Sequence, residues 1–191
     1  MKASAVFNRN RDRPRVVGLD VSLARTGIAL SHTMQAWAVP TSKKTPMHER
    51  LDTIARAVRQ AAHGCDLAVI EAPSYASDSG TRHQLYGAWW IAAHALWVAG
   101  VPYATVPPST LKKYATGYGG SAKHKVGKPE MVAAARRAWP GVDIPAAGDE
   151  ADALWLAAMG SHRLGRPLAH QSVSAAKALA VVDWPALDRA A

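Results

Sequence analysis

Residues 15–30, RVVGLDVSLARTGIAL, constrain the fold more than any other stretch: two short apolar runs meet at Gly18-Leu19-Asp20 and Arg25-Thr26-Gly27. β-Branched residues bounded by glycine favour extended chain, so residues 15–19 and 28–30 are expected as neighbouring strands. Asp20 then stands at the tip of a buried strand. A charge in such a place costs several kcal/mol unless a cation or hydrogen bonds compensate it, so either a metal ion or a basic partner is expected. A strand-end aspartate that merely caps a turn is the plainer reading, and both stand at this point.

Further along, residues 35–39 add a third strand and complete an antiparallel meander. In residues 47–62, Leu51, Ile54, Ala55, Val58 and Ala62 recur on one helical face, with Arg50, Arg56, Arg59 and Gln60 elsewhere and Gly64 closing the helix. Residues 66–71 are expected as a fourth strand, which also ends in a carboxylate, Glu71. A long Ala- and Trp-rich helix over 80–100 leads to a fifth strand at 101–106. A short helix at 109–115 follows, with Ser109 or Thr110 as its N-cap. Residues 117–127 hold four glycines without periodicity and are expected as a loop. Pro129 opens a helix through Ala138, and residues 148–160 form the last clear one. A meander followed by two strands, each reached through a helix, implies an α/β fold with a five-stranded mixed sheet flanked by helices. Residues 1–14 read as a flexible basic arm, 15–165 as the one domain and 166–191 as a C-terminal tail in which Asp183-Trp184-Pro185 packs.

Composition narrows the partners. Of 191 residues, 49% are hydrophobic and 19% charged, the balance of a globular chain, while the net charge of +9 calls for a polyanion such as nucleic acid or an acidic membrane surface. The charge is concentrated. Arg9, Arg11, Arg13 and Arg15 oppose only Asp12, and Lys112, Lys113, Lys123, Lys125, Lys128, Arg136 and Arg137 oppose only Glu130. One cysteine, Cys65, precludes an intramolecular disulfide, and no secretory pattern opens the chain, so a cytoplasmic protein is expected. Residues 85–101 approach membrane-spanning length, but two glycines, His94 and many alanines favour a helix buried against the sheet and a second subunit. Trp89, Trp90 and Trp97 are accordingly expected in core or interface. Of the histidines, only His83 and His124 fall near loops expected to meet such a polyanion.

Asp149 and Asp152 are three residues apart and share one face of the last helix. With Asp20 and Glu71 they form an all-oxygen donor set, which selects Mg²⁺, with Mn²⁺ as substitute, over Zn²⁺. Asp20 and Glu71 could instead cap turns, and Asp149 and Glu150 could offset a helix dipole. Asp152 resists that reading because its neighbours Ala151, Ala153 and Leu154 are apolar.

These segments resemble the RuvC-like Holliday-junction resolvases of the ribonuclease H-like superfamily, particularly their bacteriophage members. GLDVSLARTGIAL is similar to the family's first motif, VIEAPSYA to its second and GDEADALWLA to its third, in order across residues 15–163. The resemblance implies a ribonuclease H-like nuclease domain and a Mg²⁺-dependent endonuclease acting on branched DNA as a homodimer. It further implies no small-molecule cofactor, and products ending in 5′-phosphate and 3′-hydroxyl. In a phage setting the location would be the host cytoplasm. Asp20, Glu71, Asp149 and Asp152 correspond to the metal ligands, Asp20 being the one to bridge two ions, and Glu150 matches no metal position. Lys112 and Lys123 correspond to catalytic basic residues; the extra residues HKVGK make Lys128 an alternative to Lys123 at the scissile phosphate. Lys113, Lys125 and Arg25 join them as DNA contacts. Tyr75 stands one place later than the usual stacking aromatic and is either a base-stacking or a packing residue. Other substrates for the same carboxylates are an RNA/DNA hybrid or flap DNA. From other classes come a non-catalytic junction-binding module and an actin-like nucleotide-binding protein, though no Gly-rich phosphate loop follows Gly27.

Overall fold

A computed structural model of the chain describes residues 6–7, 13–73, 79–120, 124–170 and 172–189. The chain runs β1 (Val6–Phe7), β2 (Val16–Asp20), β3 (Arg25–Leu30), β4 (Gln35–Pro40), α1 (Met47–Ala62), β5 (Leu67–Glu71), α2 (Ser79–Val98) and β6 (Tyr103–Val106). It continues through α3 (Pro108–Thr116), α4 (Lys128–Ala138), α5 (Asp149–Arg163), α6 (Val173–Ala180) and β7 (Asp188–Arg189). Five strands form one mixed sheet flanked by helices, as expected, in the order β4-β3-β2-β5-β6. The β2–β3 and β3–β4 pairs are antiparallel, while β5 joins β2, and β6 joins β5, in parallel through the α1 and α2 crossovers. A separate two-residue parallel ladder ties β1 to β7.

Successive residues of a strand point to opposite faces, and here both faces are covered. Val16, Leu67 and Val69 pack toward α3, α4, α5 and α6, whereas Val17, Leu19, Ala68 and Ile70 pack toward α1 and α2. Central strands covered on both faces must be apolar without alternation, which is why they read VVGL and LAVI. Helix α5 is buried from Glu150 through Ser161 and is the main cover of one face. It lies against the sheet at two glycines. A Cβ on Gly18 would stand 2.0 Å from the Ala153 carbonyl oxygen, and one on Gly27 would stand 2.2 Å from that of Asp149. Any side chain at these positions would lift the start of α5 off β2 and β3.

Several details depart from the sequence expectations. Helix α3 begins at Pro108 behind an extended Pro107 and has no side-chain cap, so Ser109 and Thr110 lie inside its first turn. Proline at the first turn has its φ preset and lacks the N–H that a cap would satisfy. On α1, Arg50 is buried rather than on the polar side: Nε donates to Thr41 Oγ1 at 2.9 Å and Nη2 to the Leu23 carbonyl at 2.9 Å. Helix α5 continues past Gly160 to Arg163. Residues 166–191 contain α6, capped by the Ser172 hydroxyl accepting from the Ala175 N–H at 3.1 Å and packed on α3. Near the C-terminus Trp184 Nε1 donates to the Leu179 carbonyl at 3.0 Å.

Helix α2 turns Ala88, Ala92, Ala95 and Leu96 to the core but leaves Trp90 62%, Trp97 73% and Val98 51% exposed. No helix among the described residues is long and apolar enough to cross a membrane.

Candidate functional site

Strands β2 and β5 are adjacent and parallel, with Leu19 opposite Ile70, so the next residues, Asp20 and Glu71, leave the sheet side by side at its C-terminal edge. Open α/β sheets commonly bind ligands at that edge. The Asp20 and Glu71 carboxyl groups hydrogen-bond to each other. Trp89 Nε1 donates to the Glu71 carbonyl at 2.9 Å and fastens α2 to the end of β5. The close approach of α5 at Gly27 and Gly18 brings its first turn to the same edge, so Asp149 and Asp152 join Asp20 and Glu71. Four carboxylates that the sequence separates by as many as 132 positions (20 to 152) therefore share one pocket.

Their electrostatics follow from this crowding. Burial, then the charges of Asp20 and Asp152, push the Glu71 carboxyl up to about 9. Burial and the Asp20 charge push Asp152 up to about 7, against the pull of Lys128 and Lys112. Asp20 is raised chiefly by burial, with Lys128 acting in the opposite sense. Asp152 is 8% exposed and its Oδ1 has no hydrogen-bond partner among the described residues. Desolvation and like charge both favour the protonated acid, so without an added cation this pocket retains protons at neutral pH.

Two cations of the chain enter it. Arg25 Nε donates to Asp149 Oδ2 at 3.0 Å while Nη2 bonds to Glu150 Oε1. Lys128, the first residue of α4, bonds through Nζ to Asp149 Oδ1 and stands 3.7 Å from Asp20 Oδ2. Half-burial opposes its charge, but the bond to Asp149 and the nearby Asp20 prevail and raise its pKa. The turn that presents it is held by the Gly127 N–H donating to Glu130 Oε2 at 2.7 Å. Both Asp149 oxygens are thus engaged by cations, and among the described residues no set of three or more His, Cys, Asp or Glu side chains stands in a metal-holding arrangement.

Of the residues singled out in the sequence, Asp20, Glu71, Asp149, Asp152 and Lys128 come together here. Lys112 on α3 lies close enough to Asp152 to act on its charge. Arg25 directs its guanidinium at Asp149 and Glu150, giving Glu150 a role as a counter-charge that nothing in the sequence indicated. Lys113 is half-buried on α3, and Lys125 is exposed with its charge acting on Glu130. His83 is exposed near the start of α2. Tyr75 and Lys123 lie outside the described residues. Sequence reasoning passed over Tyr118: its ring stacks on His124 with centroids 4.5 Å apart and planes at 27°, and both residues are exposed beside the basic segment. An aromatic set among glycines, GYGG, was the available signal.

No protein-family model matches the chain, and no curated protein matches it. Solved structures do. The structure of Thermus thermophilus RuvC is similar with a TM-score of 0.63 and 21% identity, covering 83% of this chain and 99% of that one. T. thermophilus RuvC in complex with Holliday junction substrate is similar with a TM-score of 0.66 and 21% identity, covering 84% and 100%. The sheet order, the helices on both faces and these likenesses together give the chain the ribonuclease H-like α/β fold.

Proposed function

We propose that the chain is a divalent-metal-dependent endonuclease that cuts branched DNA, foremost four-way junctions, as a homodimer. The observation that carries this reading is the pocket in which Asp20, Glu71, Asp149 and Asp152 are forced together, with burial pushing the Glu71 carboxyl up and Asp152 Oδ1 left without a hydrogen-bond partner among the described residues. A buried, all-oxygen carboxylate set of this kind matches the donor preference of a hard cation, Mg²⁺ or Mn²⁺. When bound, such ions supply an activated water as nucleophile and stabilise the leaving oxygen of a phosphodiester.

The chain's own groups have distinct parts in this reading. Asp20, which interacts with both Glu71 and Asp149, is the carboxylate to be shared, while Glu71, Asp149 and Asp152 complete the ligand set. Lys112 and Lys128 offer positive charge to the phosphate that undergoes attack, with Lys123 an alternative to Lys128. Lys113 and Lys125 contact the flanking backbone, and Tyr75 is the candidate to stack on a base, an interaction worth ~1–3 kcal/mol, the alternative being a packing role. The net charge of +9 favours such a polyanion. Likeness to a RuvC whose structure was solved with a Holliday junction substrate supports the branched-DNA reading over a hybrid or a flap. A four-way junction has approximate two-fold symmetry, so one site per chain calls for a C₂ pair. The exposed Trp90, Trp97 and Val98 of α2 supply an apolar face for it.

The test compares a synthetic four-way junction with RNA/DNA hybrid and flap substrates, each with and without Mg²⁺. Paired symmetric nicks confined to the junction and dependent on Mg²⁺ are expected. Equal cutting of the hybrid, or cutting in the presence of a chelator, would overturn the assignment.

A further inference from the structure

We propose that Lys128 is a displaceable internal counter-ion: its ammonium group occupies the carboxylate pocket until a divalent cation enters, and metal affinity is set by competition with this one side chain. The inference rests on the reading of the pocket as a metal site.

Position comes first. Lys128 Nζ is bonded to Asp149 at the start of α5 and stands 3.7 Å from Asp20 at the end of β2. It therefore bridges two carboxylates contributed by different elements, as a shared metal ion would. A cation entering between Asp20 and Asp149 meets the ammonium there, and two positive charges cannot share so small a space.

Mobility comes second. The Lys128 side chain is 47% exposed whereas those of Asp20 and Asp149 are each 13% exposed, so the lysine enters from the mouth of the pocket and has an open way back to solvent. Among the described residues its ion pairs run only to Asp20 and Asp149. Arg25 differs: it also holds Asp149, but Glu150, which is 3% exposed, anchors it. A lysine is a point charge on a flexible four-carbon stem, and an arginine is a planar fork held by two partners. Only the lysine is built to leave.

The path of the stem is also shaped. Gly148, at φ +90°, precedes α5, and a Cβ there would lie 3.0 Å from Lys128 Cδ, 3.1 Å from Cβ and 3.3 Å from Cγ. The stem thus lies along a strip of backbone that a side chain would obstruct. Swung outward, the ammonium is carried to the rim, where a phosphate of bound DNA would lie.

Mn²⁺ binding to the 191-residue chain, followed by electron paramagnetic resonance of the free ion, tests the proposal on wild type, Lys128→Met and Asp20→Asn. Lys128→Met is expected to bind Mn²⁺ at least threefold more tightly than wild type, and Asp20→Asn more weakly. Equal or weaker binding by Lys128→Met, with Asp20→Asn still impaired, would overturn the counter-ion role and leave the metal site standing. Wild-type binding that is absent, or indifferent to Asp20→Asn, would remove the metal site and the counter-ion role together. Should Lys128→Met fail to fold, residue-resolved acetylation of wild-type lysines decides: saturating Mn²⁺ is expected to speed modification of Lys128 several-fold relative to Lys177 on α6. An unchanged or slower rate would refute the displacement.

Discussion

Replacing Asp152 by asparagine is expected to stabilise the metal-free protein, although it removes a proposed ligand. The Asp152 carboxyl titrates at about 7 in the folded chain, against an ordinary 3.8, because it is buried and faces Asp20. A folded-state value above the unfolded one means that the native chain binds the extra proton, so stability falls as pH rises from about 4 to about 7 and stays low above that. At ~1.36 kcal/mol for each factor of ten, the ceiling on the cost of ionised Asp152 is about 4 kcal/mol. Side-chain rearrangement and water entry recover part of it, leaving an expected gain for asparagine of ~1–2 kcal/mol at pH 8. For a chain of this length that corresponds to a melting temperature higher by roughly 2–8 °C. Thermal melts of both proteins in chelator from pH 4.5 to 8.5 measure it. The gap is expected to open with pH, level off above about 7, and shrink when Mg²⁺ is added, since ligand binding stabilises only the chain that retains its full site. An asparagine variant that melts at or below wild type at pH 8, or a gap that ignores pH, would refute the electrostatic account.

Asp20→Asn is expected to abolish Mg²⁺-dependent cleavage of a four-way junction while gel-shift affinity stays within about threefold, because the change removes a metal ligand and leaves the basic residues that hold phosphate intact. Joint replacement of Lys112 and Lys125 by alanine is expected to lower the slope of log affinity against log salt by about two, one for each phosphate no longer neutralised; an unchanged slope would return both to the solvated surface. Trp97→Glu is expected to yield a species near the 20.3 kDa chain mass in sedimentation, where wild type gives about twice that, and to nick junctions without a paired second cut. Gly18→Ala is expected to destabilise the fold by ~3 kcal/mol or more, read from denaturant melts, because the added methyl would stand 2.0 Å from the Ala153 carbonyl oxygen.

The strands and the principal helices were legible because their burial is periodic and their ends carry glycine, proline or a carboxylate. Asp20 and Glu71 could be placed at strand tips, and Asp149 with Asp152 on one helix face, from local spacing alone. What local spacing does not encode is which distant side chain answers each charge. Arg25 and Glu150 are 125 positions apart and Lys128 and Asp149 are 21 apart, so their pairing appears only once α5 is laid across the sheet. Helix α6 escaped notice because VSAAKALA is short and offers little contrast between faces; its cap, Ser172, was the one local signal. The burial of Arg50 was hidden for a related reason, since its partners, Thr41 and the Leu23 carbonyl, belong to another part of the chain.

The pocket is a conflict between packing and charge that packing wins. Three acids, Asp149, Glu150 and Asp152, occupy the first turn of α5, where the positive end of the helix dipole lies. That end offsets charge by ~0.3–1 kcal/mol per group at exposed sites and up to ~2 kcal/mol in partly buried ones, which does not match the burial and like charge that push Glu71 up to about 9. The remainder is met by burial of α5 from Glu150 through Ser161 against β2 and β3, because removing such a helix from water contributes ~25 cal/mol for each Å² of apolar surface. Gly18 and Gly27 let the helix approach closely enough for that burial, and the same approach drives Asp149 and Asp152 onto Asp20. The carboxylates could relax apart only if α5 lifted from the sheet and exposed the core beneath it. Hydrophobic packing on one side of the sheet therefore keeps four crowded acidic groups in place for a cation to join.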